Sequence, residues 1–329
     1  MAHLETVGRL ISRTAPAPEA PTLRATTFDP AMGPLTPRTD ATRYRALIAA
    51  CQQAITAGET YEVCLTTTLS AVGALDPVAA YRRLRRESAA PFGALLRFGE
   101  LAVLSCSPER FLRVDQTGTA ESRPMKGTRP RGATPAEDEQ RRLDLHRSAK
   151  DRAENLMIVD LVRHDLGSCA VTGSVEVVGL FEVETYPLVH QMVSTVQARL
   201  RPGVSAVDCV RQAFPGGSMT GAPKLRTMDI IDTLESAPRG IYSGALGYFS
   251  LSGAADFAMV IRTLVVEPER VSFGVGGAII ALSDPDAELE ETAVKAAPFL
   301  RLLGQDFPGR RSFDRQLTAR RPSASPLDP

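Results

Sequence analysis

Between residues 92 and 123, four β-rich runs follow one another at 92–98, 100–106, 110–114 and 119–123, separated by gaps of only a few residues. Parallel strands need a crossover of a dozen or more residues, so connections this short leave antiparallel pairing as the available arrangement. Strand-like runs return at 174–184, 188–199, 241–250, 257–266 and 271–280. Helical segments separate these groups at 41–57, 136–166, 205–213, 224–236 and 287–303, and Asp76-Pro77 supplies the N-cap and first-turn chemistry for a further helix through Arg86. Over 136–166, Leu143, Ala149, Ala153, Leu156 and Val159 recur at helical spacing. The pattern predicts an α+β fold of layered antiparallel β-sheets flanked by helices.

Residues 1–40 are rich in Pro, Ala and Thr without sustained periodicity and read as an irregular arm; 306–329 read as a disordered tail. No linker-like break interrupts 41–305, which is expected to be one domain. The 38 basic and 38 acidic residues cancel, which argues against nucleic acid or an acidic membrane surface as the main partner. No run approaches the ~18 consecutive apolar residues of a membrane span, and MAHLETVGRL lacks the pattern of a secretory signal. Five cysteines, odd in number and without a C-x-x-C pair, suggest neither a disulfide framework nor a zinc site. A soluble, cytoplasmic, reduced protein is expected.

Four features carry chemistry. Asp151 and Glu154 in KDRAENLMIVDL, and Glu288 and Glu291 in DPDAELEETAVKA, are each three apart on a helix and so share a face. Two such pairs meeting across a cleft could hold a hard cation such as Mg²⁺, although acidic pairs at this spacing are also common on solvated faces. FPGGSMTGAPK (214–224) sets glycines and prolines before a helix opening near Lys224, where backbone N–H groups can meet an anion or simply make a turn. FGVGGAI (273–279) places glycines inside a strand, the mark of a bulge or of close approach by a ligand. Lys126, in RPMKGTRPRG, is one of only four lysines among the 38 basic residues. It is either a surface charge or, if desolvated beside Arg123, Arg129 and Arg131, an amine of lowered pKa able to act as a nucleophile. Glu109, in SCSPERF, is an isolated carboxylate between strand-like runs, and His190, in LVHQMVSTV, has the setting of a core histidine.

In order, SPERF, PMKGTRPRG, KDRAENLMIVDLVRHDL, FPGGSMTGAPK, GIYSGALGYF, FGVGGAI and ELEETAVKA resemble the signature series of the chorismate-utilising enzymes, over about residues 45–305. The resemblance implies the anthranilate synthase component I-like fold. Within the family, Lys126 stands where anthranilate synthases carry a small residue and aminodeoxychorismate synthases carry lysine. Glu62, in YEVCLT, stands where isochorismate and salicylate synthases carry a water-activating lysine. Both positions are similar to the aminodeoxychorismate synthases. Anthranilate synthase component I, or a non-catalytic relative that binds chorismate, is the alternative.

The resemblance implies a reaction in which chorismate and ammonia give 4-amino-4-deoxychorismate, on the way to p-aminobenzoate and folate. It assigns Lys126 as nucleophile at ring C2 and Glu109 as the acid that protonates the departing 4-hydroxyl. Glu154 and Glu291 are implied as direct Mg²⁺ ligands, with Asp151 and Glu288 holding the metal's waters. Tyr242 and Arg262 match the positions that bind the enolpyruvyl carboxylate. Thr220 in the 216–221 loop, the backbone of Gly276, Gly277 and Ala278, and His190 complete the implied substrate contacts. No segment offers the nucleophilic Cys context of a glutamine amidotransferase, so ammonia is expected from a separate amidotransferase subunit or from solution. The segment before YEVCLT is shorter than in the larger members, so tryptophan feedback is not expected. Arg163-His164-Asp165 stands where Arg-Asn-Asp is usual.

Overall fold

A computed structural model describes residues 32–186 and 189–309. The first half runs β1 (Thr36–Pro37), α1 (Ala41–Thr56), β2 (Glu62–Val72), α2 (Pro77–Glu87), β3 (Phe92–Phe98), β4 (Leu101–Ser107), β5 (Arg110–Val114), β6 (Thr119–Ser122), β7 (Met125–Pro130), α3 (Pro135–Arg147) and α4 (Ala149–Gly167). The second half runs β8 (Glu176–Thr185), β9 (Val189–Arg199), α5 (Ala206–Ala213), β10 (Gly221–Ala222), α6 (Lys224–Leu234), β11 (Ala245–Phe249), β12 (Ala255–Met259), β13 (Thr263–Glu267), β14 (Arg270–Ile279) and α7 (Pro285–Leu303).

Among the described residues the strands form two sheets of seven. One runs β1-β2-β14-β13-β4-β3 with β10 beside β2; the other runs β11-β12-β5-β6-β9-β7 with β8 beside β9. Every pairing is antiparallel, as the short connections require. Leu65, Leu69, Leu104, Leu264, Phe273 and Ile279 of the first sheet pack with Tyr44 and Ile48 of α1, Leu84 of α2 and Phe299 of α7. Phe111, Leu112, Val196 and Met259 of the second pack with Ile158, Val159 and Val162 of α4 and Cys209 of α5. Cys64 of β2 belongs to this second cluster while its neighbours Val63 and Leu65 belong to the first, so β2 alternates its side chains between the two cores.

Several expected boundaries shift for local reasons. The continuous helix expected over 136–166 is two helices, because Ser148 leaves helical geometry (φ −62, ψ 112) and its hydroxyl accepts from Asp151 N, capping α4. The run at 257–266 is broken at 260–262, where the chain passes from β12 in one sheet to β13 in the other. The arm expected at 1–40 contributes β1, which pairs with Leu69 and Ser70, and its residues 1–31 lie outside the described residues. Of the tail expected at 306–329, Phe307 is packed into the first core, and residues 310–329 lie outside the described residues. No helix among the described residues is long and apolar enough to cross a membrane.

Candidate active site

The chain changes sheets twice in adjacent places, and two expected site residues stand at these crossings. Glu109 lies between β4 and β5, and Arg262 lies between β12 and β13. The crossings are hydrogen-bonded to each other: Met259 N donates to Glu109 O at 3.1 Å and Cys106 N to Arg262 O at 3.0 Å. Arg262 has φ 49, and Ser243, beside Tyr242, has φ 67. A bulky residue in the left-handed region costs about 1–3 kcal/mol and is kept where the surroundings over-determine it. Among the described residues no carboxylate pairs with the Arg262 guanidinium, and burial pulls its pKa down against the opposing effect of Tyr242 and Glu291.

Glu109 is 6 % exposed. Burial lifts its carboxyl to about 7, against the Ser218 hydroxyl that hydrogen-bonds it and the charges of Lys126 and Lys295. Ser218 belongs to the glycine-rich 214–224 segment, which is held in place from several sides. Arg239 donates to Met219 O at 2.6 Å and to Cys64 O at 2.8 Å while pairing with Glu235 at 2.7 Å. Lys224 reaches back to Asp165 at 2.7 Å and Ala213 O at 2.9 Å. Thr220 is buried, its hydroxyl turned to Gly216 O and Gly217 O and its carbonyl accepting from Cys64 N. No motif in the sequence marks Glu235 and Arg239; their i,i+4 spacing is the one local signal that pairs them.

Lys126, on the edge strand β7 of the second sheet, reaches across to Glu62 at the start of β2 in the first. Nζ lies 2.6 Å from Glu62 Oε1, and the two side chains are 11 % and 1 % exposed. Burial opposes the ammonium, but Glu62, Cys64 and Glu154 outweigh it and hold the pKa above the ordinary lysine value. Of the alternatives for Lys126, neither an exposed surface charge nor an amine lowered by Arg123, Arg129 and Arg131 is seen. Each of those cations has its own carboxylate: Arg123 pairs with Glu184, Arg129 with Asp144 and Asp151, and Arg131 with Asp138. Gly127 is next to Lys126 at φ +82, and a Cβ there would stand 2.8 Å from Asp151 Oδ1, so glycine lets α4 close against the lysine strand.

The acidic helix faces converge here. Lys150 lies 3.7 Å from Glu154 Oε1 on α4 and 3.6 Å from Glu288 Oε1 on α7, placing one ammonium between the two expected pairs. Glu154 is raised to about 7 by burial, with Lys126 and Lys150 opposing and Glu62 and Glu291 reinforcing the rise. Glu291 pairs with Lys295 at 2.7 Å, which holds its carboxyl below the usual range. Asp151 is turned to Arg129 instead. Among the described residues no three carboxylate, His or Cys side chains meet at a point that could hold a metal. The donors nevertheless suit a hard cation, since a cation already separates Glu154 from Glu288. All four lysines of the chain sit in ion pairs with carboxylates, three of them in this cluster.

The glycine strand β14 forms the floor. A Cβ on Gly277 would come within 3.4 Å of Glu288 Oε2, and Lys295 donates to Gly276 O at 3.1 Å, so this backbone faces the acidic end of α7. Gly274 leaves room for the Tyr242 ring, which a Cβ would meet at 2.2 Å, and Ala278 pairs with Cys64 across the sheet. His190 is set apart from this cluster. It is 1 % exposed, and its ring nitrogens lie 2.9 Å from Thr185 Oγ1 and 2.9 Å from Asp138 Oδ1. Its hydrogen bonds are spent within the protein, as a core histidine's are.

Glu109 borders a cavity of about 20 Å³ walled in part by Phe111, Gly216 and Met259, room for about one water. A wider concavity of about 410 Å³, walled in part by Asp76, Arg97 and Glu267, contains none of the site residues. Charge and strain, rather than volume, identify the site.

A family model described as "chorismate binding enzyme" matches residues 3–301. The chain is 64% identical over 295 residues to the aminodeoxychorismate synthase of Streptomyces griseus, covering 90% of this chain and 40% of that protein. It is 48% identical over 246 residues to aminodeoxychorismate synthase component 1 of Klebsiella aerogenes, covering 75% of this chain and 54% of the other. It thus spans roughly half or less of these relatives' length. The crystal structure of anthranilate synthase component I from Streptococcus pneumoniae TIGR4 matches it with a TM-score of 0.76 and 29% identity, over 90% of this chain and 65% of that one. Two antiparallel sheets joined at a charged seam, and a family match over nearly the whole length, place this chain in the chorismate binding enzyme family.

Proposed function

We propose that this chain is the chorismate-converting part of an aminodeoxychorismate synthase. It would turn chorismate and ammonia into 4-amino-4-deoxychorismate, the precursor of p-aminobenzoate in folate synthesis, through a covalent intermediate on Lys126. The observation that carries this reading is the buried Lys126–Glu62 pair at the seam. An amine is thereby placed among Glu109, Glu154 and the glycine floor, where a small residue would leave only space.

In this reading the residues divide the work by charge. Arg262, with no carboxylate partner among the described residues, and Tyr242 receive the enolpyruvyl carboxylate. Glu109, raised to about 7, keeps its proton near neutral pH and can give it to the departing 4-hydroxyl. Glu154 and Glu291 would hold Mg²⁺ directly, with Asp151 and Glu288 on its waters, and Lys150 is the cation it would displace from between Glu154 and Glu288. Bound there, the metal would neutralise the substrate's ring carboxylate. The backbone of Gly276, Gly277 and Ala278 and the loop carrying Thr220 line the anionic substrate. Ammonia would come from a glutamine amidotransferase partner or from solution. The buried free cysteines accord with a reducing, cytoplasmic setting.

The test is incubation with chorismate, Mg²⁺ and ammonium, followed by product identification by mass. The expected product is 4-amino-4-deoxychorismate. Anthranilate as sole product would assign the chain to the other branch of the family, and unchanged chorismate would make it a binding relative.

A further inference from the structure

Glu62 is fully buried, and only one of its carboxylate oxygens is used. Oε1 accepts from Lys126 Nζ at 2.6 Å, while Oε2 has no hydrogen-bond partner among the described residues. A buried polar atom left unpaired costs about 1–3 kcal/mol, so the fold retains this carboxylate against its own stability. The backbone of Glu62 is clamped. Its carbonyl accepts from the Thr60 hydroxyl at 3.0 Å, and Gly221 lies so close that a Cβ there would stand 1.9 Å from Glu62 O. The side chain therefore leaves a fixed base and ends at the lysine.

An ammonium has no lone pair, and the surroundings of Lys126 keep it protonated. Attack by this nitrogen therefore needs a proton acceptor beside it. The charged and titratable groups facing Lys126 are Glu62 and Cys64 on β2, Glu154 on α4, Glu109 at the β4–β5 crossing and Glu291 on α7. Burial pushes the Cys64 thiol up, Glu109 is the acid that holds its proton, Glu154 faces Lys150, and Glu291 is paired with Lys295. Among the described residues Glu62 is the carboxylate within hydrogen-bond distance of Nζ.

Resting on the covalent reading above, we propose that Glu62 is the base that frees the Lys126 amine. A proton passes from Nζ to Glu62, and the nitrogen lone pair forms the bond to ring C2 of chorismate. The two ring double bonds shift, and the C4–O bond breaks, its electron pair leaving with the hydroxyl as water on the proton of Glu109. When ammonia adds at C4 and the C2–N bond breaks, Glu62 returns its proton to the departing lysine.

The experiment follows adduct formation on the full chain by quenched-flow intact mass, with chorismate and Mg²⁺ and without ammonia. Glu62→Gln keeps the size and an acceptor oxygen for Lys126 but cannot take a proton. Its adduct should form about 10²–10⁴-fold more slowly, the scale of a positioned base. Relative to wild type, its rate should climb about tenfold per pH unit between pH 6.5 and 8.5, as expected when solvent must supply the free amine. The wild-type rate should fall above about pH 7, as Glu109 gives up the proton that the leaving hydroxyl needs, because the lysine's own proton only moves within the pair. Glu62→Asp, which restores a carboxylate, should recover at least part of the loss. Equal adduct rates in wild type and Glu62→Gln overturn the proposal while leaving the covalent reading in place. Absence of any adduct in the wild type overturns both. If Glu62→Gln does not fold, the wild-type profile decides, and a rate that rises about tenfold per pH unit below pH 7 and levels off above it assigns the proton to solvent and ends the proposal.

Discussion

Replacing Glu109 by Gln separates what this carboxylate costs the fold from what it does at the site. Burial lifts the carboxyl from 4.5 to about 7. Below pH 4.5 it is protonated in both folded and unfolded chains, and wild type and variant differ only in packing. Between 4.5 and 7 the unfolded chain has released the proton that the folded chain keeps, so wild-type stability falls as pH rises. Above 7 both states are ionised and the loss is complete. At about 1.4 kcal/mol per pH unit, the full loss is about 3 kcal/mol. Glutamine cannot ionise, so Glu109→Gln should gain about 3 kcal/mol on wild type between pH 4.5 and pH 8. The chain has no tryptophan, so urea unfolding would be followed by far-UV circular dichroism at several pH values across that range. The same variant should lose turnover by about 10²–10⁴ while still binding chorismate. A stability difference constant to within about 0.5 kcal/mol, the precision of the extrapolation, would refute the burial argument.

Lys126→Ala should abolish 4-amino-4-deoxychorismate and yield anthranilate-type product slowly, read by mass; wild-type output of the first product would remove the lysine from the chemistry. Glu154→Gln and Glu291→Gln should each lose Mg²⁺-dependent turnover with unchanged circular dichroism, and full activity in both would exclude them as ligands. Glu235→Ala leaves the Arg239 guanidinium buried without its partner and Thr66 N without an acceptor. It should lower stability by about 3–5 kcal/mol in urea unfolding, whereas a loss under about 1 kcal/mol would mean the pair behaves as a solvent-screened one. Gly276→Ala would place a Cβ 2.1 Å from Leu65 O, so β2 and β14 must part; a loss of about 1–3 kcal/mol is expected by the same assay, and a neutral outcome would show that the strands can give way.

Much of the fold is a local property of the chain. Short gaps around 92–123 impose antiparallel pairing before any packing is known. Asp40, Asp76, Thr134, Ser205 and Asp284 each cap the helix that follows with their own side chain, so those starts are decided within a few residues. Ser148 carried the same signal, but apolar periodicity running past it concealed the break. Strand β2 has no such local mark, because EVCLTTTLSAV is buried on both faces and lacks the polar alternation that betrays a half-exposed strand. The ordered motifs likewise single out Lys126, Glu109 and the acidic pairs one at a time. Their state is decided by distance in space. The arginines beside Lys126 along the chain are neutralised by carboxylates from other elements, while Glu62, 64 residues away, sets its charge. Charge interactions fall with through-space separation and strengthen with burial. Sequence order therefore names the charged groups, and the meeting of two sheets chooses which of them face each other.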